Sequence, residues 1–279
     1  MARKITIAQN VGFCSGVQRA IKIARDSAAK FGQVAMLGDI VHNEIVVEEL
    51  RQAGIQVFSD LEAIPAGLPV LFRSHGTPVT IWEKARARNM EIIDATCPLV
   101  RKIHQEVKAL AAENRQIIII GDHGHEEVTA IASQVKDAIV VANPEDAGHI
   151  GFFARLGVVV QSTQDIENVQ AIVNVLVNKT NDLRLINTIC QPTRQRQEQI
   201  RQLAIENDVM LIIGSKNSAN TRRLTAIAQA LNPHTYQIET SQDLQIEWFK
   251  EAKTVALATG ASTPLELVDS VVKKISEIT

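Results

Sequence analysis

Three turns in this chain carry a cysteine at the tip, and the residues that follow them recur at a fixed distance, which limits the possible folds more than any other feature. Val11-Gly12-Phe13-Cys14-Ser15-Gly16-Val17, Asp94-Ala95-Thr96-Cys97-Pro98-Leu99-Val100 and Asn187-Thr188-Ile189-Cys190-Gln191-Pro192-Thr193-Arg194 each read as a strand passing into a helix. Val107, Leu110 and Ala111 follow Cys97 at the offsets at which Ile200, Leu203 and Ala204 follow Cys190, a helical periodicity. An apolar run then ends in glycine: Gly38, Gly121 and Gly214 each stand 24 residues after their cysteine. Four residues past each glycine comes a polar side chain, His42, His125 or Ser218, and two further on Glu44, Glu127 or Asn220. A third polar loop closes each repeat: Ser74-His75-Gly76-Thr77-Pro78, Gln161-Ser162-Thr163 and Gly260-Ala261-Ser262-Thr263-Pro264, each after another apolar run.

Repetition of this kind outranks a length prior of about 150 residues per domain. The chain is predicted to fold as three similar small α/β units of residues 14–97, 98–189 and 190–279. Residues 1–13 are predicted to complete the third sheet, because the first two units end in a strand leading to the next cysteine and the third has none. Helices are read at 17–30, 43–53, 79–89, 99–113, 127–135, 166–178, 194–206, 221–230 and 264–277, with strands between them that include 157–160 and 183–187. Strands alternating with helices imply parallel sheets, whose carboxyl edges bind ligands. All three cysteines and the polar loops fall at such edges. Arranged as a trefoil about a pseudo-threefold axis, the three units bring them to one central cavity.

With 279 residues, 46% of them apolar, the chain is long enough to bury real cores. A formal charge of -2 with no basic tract gives no bulk attraction for nucleic acid or an anionic membrane. The N-terminus lacks the apolar core of a signal peptide, and no apolar run approaches the roughly 18 residues of a membrane span, so a cytoplasmic protein is expected. Three widely spaced cysteines argue against a disulfide framework, and the tight C-x-x-C pairs of zinc knuckles are absent.

Each thiol precedes a helix N-terminus, whose positive end favours the thiolate that binds metals. The candidates are zinc with a fourth ligand, or an iron-sulfur cluster in which three cysteines leave one iron open; the threefold placement suits the cluster better. His42, His75, His125, Ser218, Asn220 and Ser262 are donors on loops near helix starts, a set that suits phosphate or diphosphate. Taken singly, such residues are more often satisfied surface or core groups, and it is their equivalent repeat positions that argue for a ligand. No Walker loop or G-x-G-x-x-G supports a nucleotide. Glu127, two residues beyond His125, either favours a helix start or, beside an anionic ligand, acts as a proton donor with a raised pKa. His104, His149 and His234 are read as structural.

These residues resemble those of the 4-hydroxy-3-methylbut-2-enyl diphosphate reductase family, the IspH/LytB enzymes of the non-mevalonate isoprenoid pathway, over essentially the whole chain. The carriers are the three cysteine loops together with Val41-His42-Asn43, Arg73-Ser74-His75-Gly76, Gly124-His125, Glu127, Gly214-Ser215-Lys216-Asn217-Ser218, Asn220 and Gly260-Ala261-Ser262-Thr263-Pro264. The resemblance implies a [4Fe-4S] cluster on Cys14, Cys97 and Cys190, and reductive removal of the allylic hydroxyl as water to give isopentenyl and dimethylallyl diphosphates. It implies that His42, His75, Ser218, Asn220 and Ser262 hold the diphosphate, that His125 helps close the pocket, and that Glu127 delivers the proton. Ser162 stands where the family usually has a threonine of a hydroxyl relay, and keeps the donor. Ala219 stands where a second serine usually helps bind diphosphate, leaving only its backbone N–H. Ferredoxin or flavodoxin is the implied electron donor. The rival readings are a non-enzymatic iron-sulfur or zinc redox sensor, which needs neither the diphosphate donors nor Glu127, and a cofactor-free racemase, which leaves one thiol unexplained.

Overall fold

Apolar runs of four or five residues form the inner strands of three parallel sheets. The computed structural model describes residues 4–278. Residues 1–3 and 279, assigned above to the closing segment and the third unit, lie outside the described residues. In chain order the elements begin with β1 (Lys4–Ile7), α1 (Ser15–Phe31), β2 (Val34–Leu37), α2 (Glu44–Gln52), β3 (Ile55–Phe58), β4 (Val70–Phe72), α3 (Val79–Ala87) and β5 (Ile92–Asp94). They continue with α4 (Pro98–Ala112), β6 (Gln116–Ile120), α5 (Glu126–Ala132), β7 (Ile139–Val141), α6 (Pro144–His149), β8 (Phe153–Val160), α7 (Ile166–Leu176) and β9 (Thr180–Ile186). The last elements are α8 (Gln191–Glu206), β10 (Val209–Ile213), α9 (Ala219–Leu231), β11 (Thr235–Ile238), β12 (Thr254–Thr259) and α10 (Leu265–Glu277). Among the described residues no helix is long and apolar enough to cross a membrane.

The chain divides into two compact units, one within residues 1–17, 42–45 and 191–279 and the other within 18–41 and 46–190. The second holds two four-stranded sheets, ordered β3-β2-β4-β5 and β7-β6-β8-β9, and the first holds one, ordered β11-β10-β12-β1. The three orders are the same. The strand that leads to a cysteine lies at one edge, beside the strand of the third polar loop, which lies beside the strand ending at the repeated glycine. The strand that the third repeat lacks is β1, which runs parallel to β12 with Lys4 opposite Thr254 and Ile7 opposite Leu257.

The inner strands are buried on both faces, and side chains alternate between two cores. Ile118 and Ile120 face Val158, Val160, Ile172 and Leu176. Ile117 and Ile119 face Ile103, Val107, Leu110, Val128 and Ile131. In the other unit Met210 and Ile212 pack with Ile200, Leu224 and Ala228, while Leu211 and Ile213 pack with Leu257, Val268, Val271 and Ile275. Each such side chain contributes about 1.5–3 kcal/mol relative to exposure.

The helices after the cysteines start earlier than periodicity alone indicates, at Ser15, Pro98 and Gln191. Their first turns are polar or contain proline, which is tolerated at the first helical position and hides the apolar stripe. Helix α6 was not expected. Asn143 caps it by accepting the N–H of Asp146 at 2.9 Å, and Pro144 stands at its start. Strands β8 and β9 begin several residues before the expected 157 and 183, because ions rather than apolar alternation pair their first halves. The side chain of Arg115 donates to both carboxylate oxygens of Asp182, at 2.9 and 3.0 Å, and Arg155 donates to the same carboxylate at 3.1 Å.

Candidate active site

The twelve predicted site residues fall six to each compact unit. In the unit of two sheets they are His75, Cys97, His125, Glu127, Ser162 and Cys190. Glu127 lies in the first turn of α5 and is 2% exposed. One of its carboxylate oxygens accepts the backbone N–H of Ser162 at 2.6 Å and the other accepts the Ser162 hydroxyl at 2.7 Å. Burial pushes the Glu127 pKa up, the two bonds from Ser162 pull against that, and the charge of Asp122 adds to the upward push. The Ser162 carbonyl accepts the N–H of Cys190 at 3.0 Å. A single residue therefore links a candidate proton donor to a candidate metal ligand.

His125 caps α5, its Nδ1 accepting the backbone N–H of Glu127 at 3.1 Å. With Nδ1 an acceptor, a neutral imidazole carries its proton on Nε2. The His75 ring meets that of His125 edge to face, centroids 5.8 Å apart. The loop of His75 is anchored by Ser74, whose hydroxyl donates to the Ile40 carbonyl at 2.7 Å and whose carbonyl accepts the Cys97 N–H at 2.9 Å. His104 packs beneath this loop and is held neutral: burial first, then Lys108, lowers its pKa to about 4. Its Nε2 is buried without a hydrogen-bond partner among the described residues.

The other unit holds Cys14, His42, Ser218, Ala219, Asn220 and Ser262. Ser218 caps α9 by accepting the N–H of Thr221 at 3.3 Å, which places Ala219 and Asn220 in the first turn, both buried. Among the described residues neither polar atom of the buried Asn220 side chain has a hydrogen-bond partner. Leaving such a group unsatisfied costs about 1–3 kcal/mol, so the amide has a donor and an acceptor unmet by the protein. Ser262 is held by Asn43, whose amide donates to its carbonyl at 2.7 Å, and its hydroxyl lies 3.4 Å from the His42 carbonyl. The N–H of Cys14 donates to Ala261, beside Ser262, at 3.0 Å.

The three thiols therefore occupy equivalent places. Each is half-buried, directly precedes a helix, and donates its main-chain N–H to the third polar loop of its own sheet. None is in a disulfide. A thiol at a helix N-terminus is a soft donor of the kind that iron-sulfur clusters take.

Three further side chains stand beside these loops, of which Thr221 and Arg196 do not stand out in the sequence. Arg73 forms an ion pair with Glu126 at 3.0 Å, and its guanidinium would meet a Cβ on Gly38 at 2.9 Å. The Thr221 hydroxyl, buried without a hydrogen-bond partner among the described residues, would lie 2.8 Å from a Cβ on Gly214 and 2.2 Å from one on Gly260. The corresponding residue after His125 is Val128, so the repeat register gives no signal for a hydroxyl there. Arg196, in an otherwise apolar position of the repeat, donates to the Gly12 carbonyl at 2.7 Å.

Residues 5–276 match the family model described as LytB protein. A 4-hydroxy-3-methylbut-2-enyl diphosphate reductase from Geobacter sulfurreducens is 40% identical over 275 residues, covering 98% of this chain and 97% of that one. Its counterpart from Aquifex aeolicus is 41% identical over 279 residues, covering 98% and 96%. The solved E-1-hydroxy-2-methyl-but-2-enyl-4-diphosphate reductase of Plasmodium falciparum superposes with a TM-score of 0.94 at 30% identity, over 98% of this chain and 88% of that one. A second solved structure, (E)-4-hydroxy-3-methyl-but-2-enyl diphosphate reductase, titled the terminal enzyme of the non-mevalonate pathway, gives a TM-score of 0.72 at 40% identity over 99% of both chains.

Proposed function

The chain belongs to the LytB protein family, and from that premise we propose that it reduces 4-hydroxy-3-methylbut-2-enyl diphosphate to isopentenyl and dimethylallyl diphosphates. The reaction breaks the allylic C–O bond, consumes two electrons and two protons, and releases water. The observation that carries this reading is Ser162, whose N–H and hydroxyl hold the buried Glu127 carboxylate while its carbonyl holds the Cys190 N–H. A [4Fe-4S] cluster on Cys14, Cys97 and Cys190 supplies the electrons when bound. Glu127, with its pKa raised by burial, holds the proton, and Ser162 relays it through its hydroxyl. His125 offers its Nε2 proton to the substrate. His42, His75, Ser218, Asn220 and Ser262 bind the diphosphate; the Ala219 backbone N–H lies in the same helix turn, and the unsatisfied Asn220 amide has a donor free for it. The electrons come from ferredoxin or flavodoxin, and the protein works in the cytoplasm.

The test is anaerobic purification with iron, sulfide and zinc analysis, followed by turnover with a one-electron reductant and identification of the products. About four irons and four sulfides per chain and both isoprenoid diphosphates are expected. A zinc-loaded protein without turnover would sink the reading.

A further inference from the structure

The repeat changes character at one core position. Six residues after each cysteine stand Ala20, Ile103 and Arg196. Ala20 and Ile103 are 0% and 1% exposed, as a core position requires, and Arg196 is only 5% exposed. A cation is thus buried where an aliphatic side chain serves in the other two repeats, although burying a charge is costly unless it is used.

The use lies two residues before Cys14. Arg196 Nη2 donates to the Gly12 carbonyl at 2.7 Å. The same loop is held on its other side, where the Gly12 N–H donates to Thr259 Oγ1 at 2.9 Å and the Cys14 N–H donates to Ala261 at 3.0 Å. Gly12 has φ +84, and a Cβ there would lie 2.8 Å from the Leu265 side chain, so the loop is confined. The Cys97 loop also meets an arginine, Arg19, which donates to the Thr96 carbonyl at 3.1 Å. That one is half-exposed and stands next to a loop carrying the Asp94 carboxylate, which accepts the Thr96 N–H at 2.8 Å.

We propose that Arg196 is a positioning residue for the Cys14 ligand, and that its fixed positive charge beside that ligand favours the reduced state of the cluster. The inference rests on the reading above that Cys14 binds a cluster. A reduced cluster carries one more negative charge than an oxidised one, so a nearby permanent cation stabilises it more. Two residues span at most about 7.6 Å. The guanidinium is then on the order of 12 Å from the Cys14 thiol, where a unit charge at an effective dielectric of about 20 is worth about a factor of ten. Replacing Arg196 by a neutral side chain removes that charge whatever else the guanidinium touches.

Arg196→Gln keeps a donor for the Gly12 carbonyl and loses the charge, whereas Arg196→Lys keeps the charge and loses the planar fork. Both variants and the parent are purified anaerobically, iron and sulfide are counted, and the midpoint is read from a redox titration followed by electron paramagnetic resonance. The expected result is full iron and sulfide in both. In the Gln variant the reduced-to-oxidised ratio at fixed potential falls about tenfold, ~59 mV for a one-electron couple, and the Lys variant keeps the parent's ratio. A fully loaded Gln variant with the parent's midpoint overturns the proposal. So does a Lys variant shifted as far as the Gln variant, because geometry and not charge then sets the potential. If the Gln variant does not fold or load, the Lys variant decides: the parent's midpoint supports the proposal and a tenfold shift overturns it. A parent protein without iron and sulfide fails differently, since it removes the cluster reading itself.

Discussion

Burial of Glu127 to 2% exposure makes its ionised form costly, and the two hydrogen bonds from Ser162 offset only part of that cost. If this carboxyl supplies the proton, Glu127→Gln keeps the shape and removes the acid, and turnover is expected to fall by about a hundred- to ten-thousand-fold. Iron content and substrate affinity stay near the parent's; near-normal turnover in a loaded variant would take Glu127 out of the mechanism. The same residue sets a pH dependence. Its folded pKa lies above the unfolded value of about 4.3, so between the two the folded protein binds more protons and stability falls as pH rises. The Gln variant lacks that loss, and its melting temperature should exceed the parent's at neutral pH and converge with it below about pH 4. His104 acts in the opposite sense. Its pKa is lowered from 6.5 to about 4, so its contribution is present above 6.5 and lost as pH falls toward 4. His104→Gln should flatten that acid limb of the melting curve. At this scale the repeat made Glu127 and Asn220 legible, because each occupies a position fixed by the glycine before it. Thr221, which follows Asn220, and Arg196, which holds the Gly12 carbonyl, were not legible, because each departs from the residue type that the repeat puts at its position.

The repeated glycines show how an element places a side chain. After β6 and β10 the chain turns so sharply that the following helix packs against the glycine itself. A Cβ on Gly121 would come within 2.5 Å of Val128 and 3.1 Å of Gln161 Oε1, and one on Gly214 within 2.8 Å of the Thr221 hydroxyl. Gly121→Ala is therefore expected to push α5, and Glu127 with it, away from Ser162. Overpacking of this kind costs typically about 1–3 kcal/mol, readable as a lower urea midpoint. Turnover should fall as well, although no polar atom is changed, and an unchanged midpoint and rate would show that the turn has room. Inner strands and long helices were readable because both faces or one stripe are apolar. Helix α6 and the first halves of β8 and β9 were not, since a cap, a proline and the ions around Asp182 define them rather than apolar periodicity.

Across the whole chain the same strand order recurs in three sheets, and each is closed by a strand that leads to a cysteine. For the sheet of β10, β11 and β12 the closing strand comes from the opposite end of the sequence, so the first and last segments of the chain depend on each other. The contact separates residues by about 250 positions, a loop closure that is entropically costly and expected to form late. Thr6 sits at the middle of β1 opposite Ala256. Lys4 donates to the Lys253 carbonyl at 3.0 Å and Ala8 to the Leu257 carbonyl at 2.8 Å, and by the alternation of a parallel ladder the Thr6 N–H serves the carbonyl between them. Thr6→Pro removes that donor and leaves a buried acceptor unsatisfied, for a loss of about 1–3 kcal/mol. Cys14 follows β1 in the chain, and its loop is tied by Gly12 and Cys14 to Thr259 and Ala261 at the end of β12. Loosening the strand should therefore lower cluster loading as well as stability. Thr6→Val, which keeps the N–H, is expected to match the parent in both. The measurement is urea unfolding of the metal-free protein beside iron and sulfide counts after anaerobic reconstitution. A proline variant equal to the parent in both would show that the third sheet stands without its borrowed strand.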